Sequence, residues 1–405
     1  MFWYVASRSY RIVLEDVLLY ELRPVLSMEH KSWADLPEHV IVSIFSYTSI
    51  PTRSKLALVC KSWLDAFKSP FLWHSFTFQF LTPEDFKYEP FLHQHGQYLR
   101  SVYIRCNQED KINRENACKL IRGLYELEKQ RLERLKINFT GENPLFYAGQ
   151  EFVECLRGIF GSPPTKVETE NVQVLTRLKS VDLCGLPVAL NDELLLCLAE
   201  HNAETLEHLD IQNASLVCKV TANCILELVR RCRKLKSLAT HYGNITEEIL
   251  LSFIEEGRSP LSNLSVLCRR EEKYGRDISS ETWSTVRAKL PNLRVTLYFD
   301  LSCPMFKVNA ILKPEIPVSY LRLLVQARLV QQVYFATQYY SQTLEKIALS
   351  TTNSPELENA LLHLSSACNK LNEIHVFQCY VSSETKVKIL KILPNLEEYT
   401  LKTKE

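Results

Sequence analysis

Residues 178–211 read LKSVDLCGLPVALNDELLLCLAEHNAETLEHLDI, and this stretch decides the fold. Its first six residues follow an apolar-x-x-apolar-x-apolar spacing that begins at Leu178 and is typical of a short strand with one buried face. Asn191 and the two acids after it are typical of a helix start, because asparagine caps free N–H groups and acids favour the N-terminal dipole. The apolar spacing returns at Leu206, 28 residues after Leu178. The stretch therefore predicts a strand, a helix and a second strand.

The same unit recurs along the chain. From Leu178 to Leu396, successive units begin 25 to 29 residues apart, a regularity that chance matches to so loose a pattern do not produce. One strand–helix unit cannot bury its apolar face alone, whereas stacked units share a continuous core. The sequence predicts a solenoid with parallel strands on the concave face and helices outside. The units begin at Leu99, Leu132, Leu178, Leu206, Leu235, Leu264, Leu293, Val318, Leu344, Leu371 and Leu396.

Two irregularities interrupt the repeat. At Leu293 the alternation slips, since Val295, Leu297 and Phe299 fit a strand better, and we expect distorted geometry there. Residues 161–171 form a polar stretch with two prolines, which predicts a surface loop.

A different pattern occupies residues 33–73. Two apolar stripes at helical spacing, separated by a break at residues 49–52, predict two short amphipathic helices. A module this small cannot bury two wide stripes internally, so part of this surface is expected to bind a partner. The first stripe contains Val40, Ile44 and Tyr47, and the second contains Leu56, Val59, Cys60, Trp63 and Phe67.

Composition excludes several classes of function. With 48 Lys and Arg against 47 Asp and Glu, the net charge of +1 gives no reason to expect nucleic acid or an anionic membrane as a partner. Only 10 of 405 residues are glycine, which argues against glycine-rich phosphate loops. The 13 cysteines include no C-x-x-C pair, which favours reduced thiols in a cytoplasmic or nuclear protein and speaks against a zinc ribbon. We expect Cys184, Cys232 and Cys368 to fill core space.

The beginning of the chain is predicted to be an extension without a fold of its own, at residues 1–30. Its apolar run, residues 12–20, is interrupted by Glu15 and Asp16. The run is therefore neither a secretory segment nor a membrane span.

The helical module carries a resemblance to a known family. Leu36-Pro37, Ile44-Phe45, the VCKSW block at residues 59–63 and Leu72-Trp73 have the order and spacing of the F-box, and this part of the chain resembles that family. The returns between units, such as Cys232-x-x-Leu and Pro394-Asn-Leu, resemble the longer, cysteine-containing leucine-rich repeat. The predicted fold class is α/β, with a short all-helical F-box at 31–78 followed by a leucine-rich-repeat solenoid at 79–405.

The resemblance implies a function. F-box modules bind Skp1, the linker subunit of a cullin-based ubiquitin ligase, and through Skp1 they meet the cullin and its RING subunit. The chain would be the substrate-recognition subunit of a Skp1–cullin–F-box (SCF) ligase, promoting ubiquitination and proteasomal degradation without catalysing a reaction or using a metal or cofactor. Thr48 and Thr52 depart from the usual Leu and Asp, although Thr52 can still cap the second helix. The positions assigned to Skp1 binding or its support are Leu36, Pro37, Ile44, Phe45, Val59, Cys60 and Trp63.

The repeats would hold the protein substrate. Strand alternation predicts a substrate-binding face formed by Tyr103, Lys136, Asp182, His208, Asp210, Arg322 and His375. The segments 141–146, 313–323 and 399–402 are similar to one subfamily of F-box and leucine-rich-repeat proteins.

Other readings of the repeats stay open. Asp182 and Asp210 could serve acid–base chemistry, but equivalent repeat positions bring them together in any case, and no specific support for catalysis follows. His93-Gln94-His95 is predicted to be a solvated surface loop rather than a metal site. Two alternatives remain, namely a leucine-rich-repeat scaffold acting outside the ligase and an enzyme whose site is assembled across the fold.

Overall fold

The structure is a computed structural model that describes residues 33–83, 88–127, 131–143, 149–161, 177–215, 219–270 and 277–403. The structure consists of two compact units. The first ends at Ser75, and the second begins at Phe76. The predicted extension at 1–30 and all but the first residue of the predicted loop at 161–171 lie outside the described residues. Within those ranges, no helix is both long and apolar enough to cross a membrane.

The first unit is helical. It begins with a 3-10 turn at Trp33–Asp35 and ends with another at Pro70–Trp73. The Phe45 ring lies at its centre, 5.5 Å from the Trp63 ring and 6.3 Å from the Phe67 ring, both in edge-to-face geometry. Such aromatic contacts give this small unit a specific core. Its three α-helices are α1 (Glu38–Ser46), α2 (Ile50–Leu56) and α3 (Lys61–Phe67).

The second predicted stripe is therefore split between two helices, and the expectation of a single helix was wrong. The break lies at Cys60, whose backbone is extended with φ −159° and ψ 173°. This break lets Trp63 and Phe67 pack on Phe45. The capping prediction for Thr52 was also wrong, because the Ser49 side chain caps α2 by accepting a 3.3 Å hydrogen bond from the Thr52 amide.

The second unit is built on one sheet. Within the described residues, twelve strands lie side by side in chain order, and the pairs from β2 to β12 are parallel. The strands are β1 (Ser75–Phe80), β2 (Ser101–Asn107), β3 (Arg134–Thr140), β4 (Ser180–Gly185), β5 (His208–Asp210), β6 (Ser237–His241), β7 (Asn263–Cys268), β8 (Arg294–Phe299), β9 (Val318–Ala327), β10 (Lys346–Thr351), β11 (Glu373–Val381) and β12 (Glu398–Thr403).

A helix connects most successive strands. Several of these helices begin as the sequence predicts, for example where the Asn191 side chain accepts a 3.0 Å hydrogen bond from the Leu194 amide. The helices are α4 (Glu89–His95), α5 (Lys111–Tyr125), α6 (Glu151–Phe160), α7 (Asp192–Asn202), α8 (Ala222–Arg231), α9 (Glu247–Ser252), α10 (Ser280–Lys289), α11 (Met305–Ile311), α12 (Val330–Tyr340), α13 (Pro355–Ala367) and α14 (Ser383–Ile392).

Strand alternation separates a core face from a second face, which we call the strand face. In β4, Val181 and Leu183 are buried in the core, and Asp182 lies on the strand face. At β8 the predicted slip is confirmed, since Val295, Leu297 and Phe299 are the buried residues and the register with β9 shifts after Val295. The structure confirms the α/β class, with a helical module followed by a solenoid-like parallel sheet.

Of the three cysteines predicted to fill core space, two do so and one does not. Cys232 and Cys368 are fully buried in the core, as expected. Cys184 is only half-buried, and the expectation that it fills core space was wrong. Cys184 alternates with buried Leu183 and therefore lies on the strand face beside Asp182.

Candidate functional site

The helical unit leaves large apolar side chains in contact with solvent. Leu58 is 83% and Val59 is 63% exposed, and both lie in the turn between α2 and α3. Water-exposed apolar surface is unfavourable, and a concentration of it marks a protein-binding surface. We call this set the exposed apolar set; it consists of Trp33, Tyr47, Ile50, Leu58, Val59, Leu64 and Phe71.

The seven residues predicted for Skp1 binding differ in their exposure to solvent. Pro37 and Val59 are exposed, and Ile44 and Cys60 are half-buried. The other three, Leu36, Phe45 and Trp63, are buried in the unit's own core and can act only by supporting the surface. Their assignment to Skp1 binding stays a prediction.

Arg53 is a structural residue of this unit that the sequence analysis missed. Its Nε donates hydrogen bonds to the backbone oxygens of Phe45 (2.8 Å) and Thr48 (3.1 Å). Its Nη1 reaches the Leu72 oxygen at 3.0 Å, and its Nη2 reaches the Ser46 oxygen at 3.3 Å. The carbonyls at a helix C-terminus lack intrahelical donors, so Arg53 satisfies the end of α1 and ties it to the last turn of the unit.

On the strand face of the second unit, four of the predicted substrate-binding residues form one row. Tyr103, Lys136, Asp182 and Asp210 are register partners on β2, β3, β4 and β5. The Lys136 ammonium lies 2.7 Å from an Asp182 carboxylate oxygen and 5.7 Å from the centre of the Tyr103 ring. This row is a continuous polar surface that combines an aromatic ring, a cation and two acids.

The two acids of the row have different environments. Burial raises the pKa of Asp210 to about 6, and the negative charge of Asp182 adds to the effect. Burial would also raise the pKa of Asp182, but hydrogen bonds from Cys184 and Lys136 outweigh it and lower that pKa. The Asp210 carboxylate accepts a 2.9 Å hydrogen bond from the Gln212 amide. Asp210 therefore carries its negative charge at neutral pH at a cost to folding.

Cys184 completes this cluster. One ligand atom from each of Asp182, Cys184 and Asp210 lies within 4.8 Å of the others, a spacing compatible with a metal ion. Burial raises the pKa of the Cys184 thiol to about 12, and the Asp182 carboxylate adds to the effect. A protonated thiol is a poor metal ligand. The ion pair between Lys136 and Asp182 already neutralises part of the negative charge of this cluster.

Replacing Asp210 with asparagine is expected to stabilise the second unit of the protein, which contains the repeats. The pKa of Asp210 in the folded state, about 6, lies above the ordinary value for an aspartate, so ionisation of Asp210 opposes folding as the pH rises from about 4 to above 6. Asp210→Asn should increase the free energy of unfolding by about 3 kcal/mol at pH values above 6, and the gain should shrink toward pH 4. Chemical denaturation of both proteins between pH 4.5 and 7.5 measures this difference. A gain that grows as the pH falls would contradict the argument.

The remaining predicted residues of the strand face lie apart from that row or at its margin. His208 is exposed and pairs with Ser180 beside the row. Arg322 and His375 flank Ala348 across β9, β10 and β11. Since neighbouring strands are about 4.8 Å apart, β5 and β9 are separated by about 19 Å along the sheet. The structure thus divides the predicted face into two groups.

A second acidic cluster lies near the end of the sheet. Ligand atoms of Glu373, His375 and Glu398 lie within 4.8 Å of one another. The His375 ring forms a 2.9 Å hydrogen bond with the Thr400 hydroxyl, and Lys346 forms an ion pair with Glu373. The sequence analysis did not assign Glu373 and Glu398 to the site. Their equivalent positions in successive repeats could have predicted that they are neighbours.

The expectation of a solvated surface loop at His93-Gln94-His95 was wrong. These residues end helix α4, where His93 is exposed and His95 is buried. The Phe91 ring lies 5.2 Å from the His95 ring, one helical turn away. Burial lowers the pKa of His95 and favours its neutral form.

Comparison with known proteins identifies relatives of the chain. Residues 33–79 match the family profile of the F-box-like domain. Human F-box/LRR-repeat protein 8 is 29% identical over 368 residues, which cover 91% of this chain and 94% of that protein. Mouse F-box/LRR-repeat protein 21 is 24% identical over 382 residues, which cover 89% of this chain and 80% of that protein.

These findings confirm the resemblance given by the sequence. The chain carries an F-box-like domain and is homologous to F-box/LRR-repeat proteins over nine-tenths of its length. F-box/LRR-repeat protein 8 is also the member of the subfamily that the sequence analysis had in view, and it is among the relatives found. A leucine-rich-repeat protein of Leptospira interrogans aligns with 75% of this chain and 91% of its own, at 13% identity and a TM-score of 0.26. That score adds nothing to the fold assignment, which rests on strand order and register.

Proposed function

Because the chain joins an F-box-like domain to a repeat sheet, we propose that it is the substrate-recognition subunit of an SCF ubiquitin ligase. The helical unit binds Skp1, and through Skp1 the cullin and its RING subunit. The repeat sheet binds a protein substrate, which the ligase ubiquitinates and so commits to proteasomal degradation. The chain itself forms or breaks no bond. Its contribution is to raise the effective concentration of the substrate at the ubiquitin-loaded partner.

The observation that carries this proposal is the exposed apolar set of the helical unit. Leu58 and Val59 lie in a turn and are largely exposed. Their side chains therefore add little to the core of the helical unit. Their burial against a partner would remove apolar surface from water, which is the main favourable contribution to such an interface. The match to the F-box-like domain over residues 33–79 supports the choice of Skp1 as the partner in this proposal.

The test is co-purification from cell lysate. The intact chain should bring down both Skp1 and cullin, and the double variant Leu36→Ala/Pro37→Ala should bring down neither. Leu36 is buried, and Pro37 directly precedes the first residue of α1. The double change therefore disturbs the start of α1. Capture of Skp1 without cullin would favour the alternative, a leucine-rich-repeat scaffold that acts outside the ligase. An intact chain that captures no Skp1 would overturn the proposal.

A further inference from the structure

Two neighbouring helices of the second unit, α5 and α6, bring a pair of cysteines together. Each helix follows one of two parallel strands, β2 and β3, so the two helices run in the same direction. Nε of Arg114 on α5 donates a 3.2 Å hydrogen bond to Glu151 on α6. Cys118 and Cys155 come four residues later, about one turn further along each helix. The ion pair and the cysteines therefore lie on successive levels of one helix–helix contact.

A second contact fixes the helices beyond the cysteines. The Tyr125 ring of α5 packs so closely on Gly158 of α6 that a Cβ at Gly158 would lie 2.5 Å from a ring carbon. Cys118 and Cys155 are free thiols, each 2% exposed, and they lie between this contact and the ion pair. Because contacts on both sides hold the helices, the two sulfurs stay close to each other.

The two thiols differ in how firmly they hold their protons. A hydrogen bond joins their side chains and lowers the pKa of Cys155, with a further contribution from the positive charge of Arg122 and against the effect of burial. The same hydrogen bond raises the pKa of Cys118, and burial adds to the effect. Cys118 therefore keeps its proton and donates it in the hydrogen bond, whereas Cys155 is the member of the pair that forms a thiolate. The thiolate is the reactive form of cysteine.

Arg122 links Cys155 to the surface. It lies one turn after Cys118 on α5, is exposed to solvent, and forms a hydrogen bond with the Cys155 side chain. A cation next to the sulfur favours the thiolate and stabilises the hydroxide that leaves a peroxide. Burial has the opposite result at Cys232 and Cys368, where it raises the pKa of each thiol to about 12. Burial alone thus makes a thiol inert, and Cys155 departs from this pattern.

We propose that Cys118 and Cys155 form a reversible oxidation site for hydrogen peroxide. The Cys155 thiolate attacks one peroxide oxygen, the O–O bond breaks, and Cys155 becomes a sulfenic acid while hydroxide leaves and takes up the proton that Cys155 had lost. Cys118 then attacks the Cys155 sulfur, the S–O bond breaks, and a second water leaves with the Cys118 proton. The products are a disulfide and two molecules of water, and a dithiol reductant restores both thiols.

The disulfide would tie two successive repeats together. A covalent link between α5 and α6 restricts the unfolded chain more than the folded chain, in which the helices are already packed. Peroxide would therefore make local opening of these repeats rarer. This property is independent of the proposed function, because it belongs to two helices of the repeats and involves neither the helical unit nor the strand face.

The experiment uses the full chain, reduced and then exposed to hydrogen peroxide. Remaining thiols are blocked with iodoacetamide in denaturant, and the peptides are analysed by mass spectrometry. A disulfide-linked peptide that contains Cys118 and Cys155 should form and should disappear after treatment with dithiothreitol. Cys232 and Cys368 are the matched buried controls and should be alkylated fully at the same peroxide dose. Oxidation of Cys118 and Cys155 no faster than that of the controls would overturn the proposal.

Variants separate the roles of the two thiols. In Cys118→Ala, the sulfenic acid on Cys155 should persist and be captured by a 1,3-dione such as dimedone. Arg122→Gln should slow the oxidation of Cys155 about tenfold, because the thiolate loses its cation. Lys119→Gln removes an exposed cation from the same helix and should leave the rate unchanged.

Hydrogen exchange verifies the fold of each variant. In the oxidised intact chain, amides of α5 and α6 should exchange more slowly than in the reduced chain. Sulfinic acid on Cys155 of the intact chain without any linked peptide would show that Cys118 does not form the disulfide, and the proposal would fail.

Discussion

Replacing Leu58 and Val59 together with aspartate is expected to abolish Skp1 capture while the protein stays folded. Both side chains are largely exposed and contribute little to the core of the helical unit, so the free energy of unfolding should change by less than about 0.5 kcal/mol. In the complex the same positions would bury two carboxylates without partners, which costs several kcal/mol. A loss of about 4 kcal/mol corresponds to a roughly thousandfold weaker affinity. Titration of the purified chain with Skp1 measures that change.

The matched control for this variant is Leu301→Asp. Leu301 lies outside the helical unit and is 65% exposed, close to the 63% of Val59, so the change adds a negative charge at another exposed apolar residue. Skp1 affinity should remain that of the intact chain. Undiminished binding by the Leu58→Asp/Val59→Asp variant would show that the exposed apolar set does not meet Skp1.

The strands and their register could be predicted because their signal is local. One buried face alternates with a polar face, and a 25- to 29-residue period fixes which residues become neighbours, as Asp182 and Asp210 show. The slip at β8 was also visible, since Val295, Leu297 and Phe299 keep the alternation that Leu293 loses. The prediction of Tyr103 and Lys136 as members of one face followed from the same rule.

Other features depend on contacts between distant residues. The helix break at Cys60 was hidden because the apolar stripe continues through it at helical spacing, although the backbone there is extended. Cys184 was assigned to the core because repeat cysteines usually fill core space, whereas the alternation of strand β4 places it on the opposite face. Within the described residues Arg322 has no ion pair, and this could not be predicted from the sequence, because it depends on which acids pair with other cations.

Arg53 is the clearest case of a residue whose role only the folded chain reveals, and its replacement should have a large effect on stability. Arg53→Ala removes four hydrogen bonds to carbonyls of Phe45, Ser46, Thr48 and Leu72. Hydrogen bonds from a charged donor contribute about 1.5–3 kcal/mol each when buried, and these are partly solvated. We expect a total loss of about 2–4 kcal/mol, a large fraction of what so small a unit can have.

Hydrogen exchange of the full chain tests this expectation, because it reports on each unit separately. In Arg53→Ala, amides of α1, α2 and α3 should exchange about thirtyfold to several hundredfold faster, while those of β4 to β12 stay as they are. Lys55→Ala, a change at an exposed residue of the same helix, should leave all rates unchanged. Because Skp1 would bind only the folded unit, saturating Skp1 should restore slow exchange in Arg53→Ala. Unaltered protection of α1 in Arg53→Ala would mean that its last carbonyls are satisfied by water and that Arg53 does not hold the unit together.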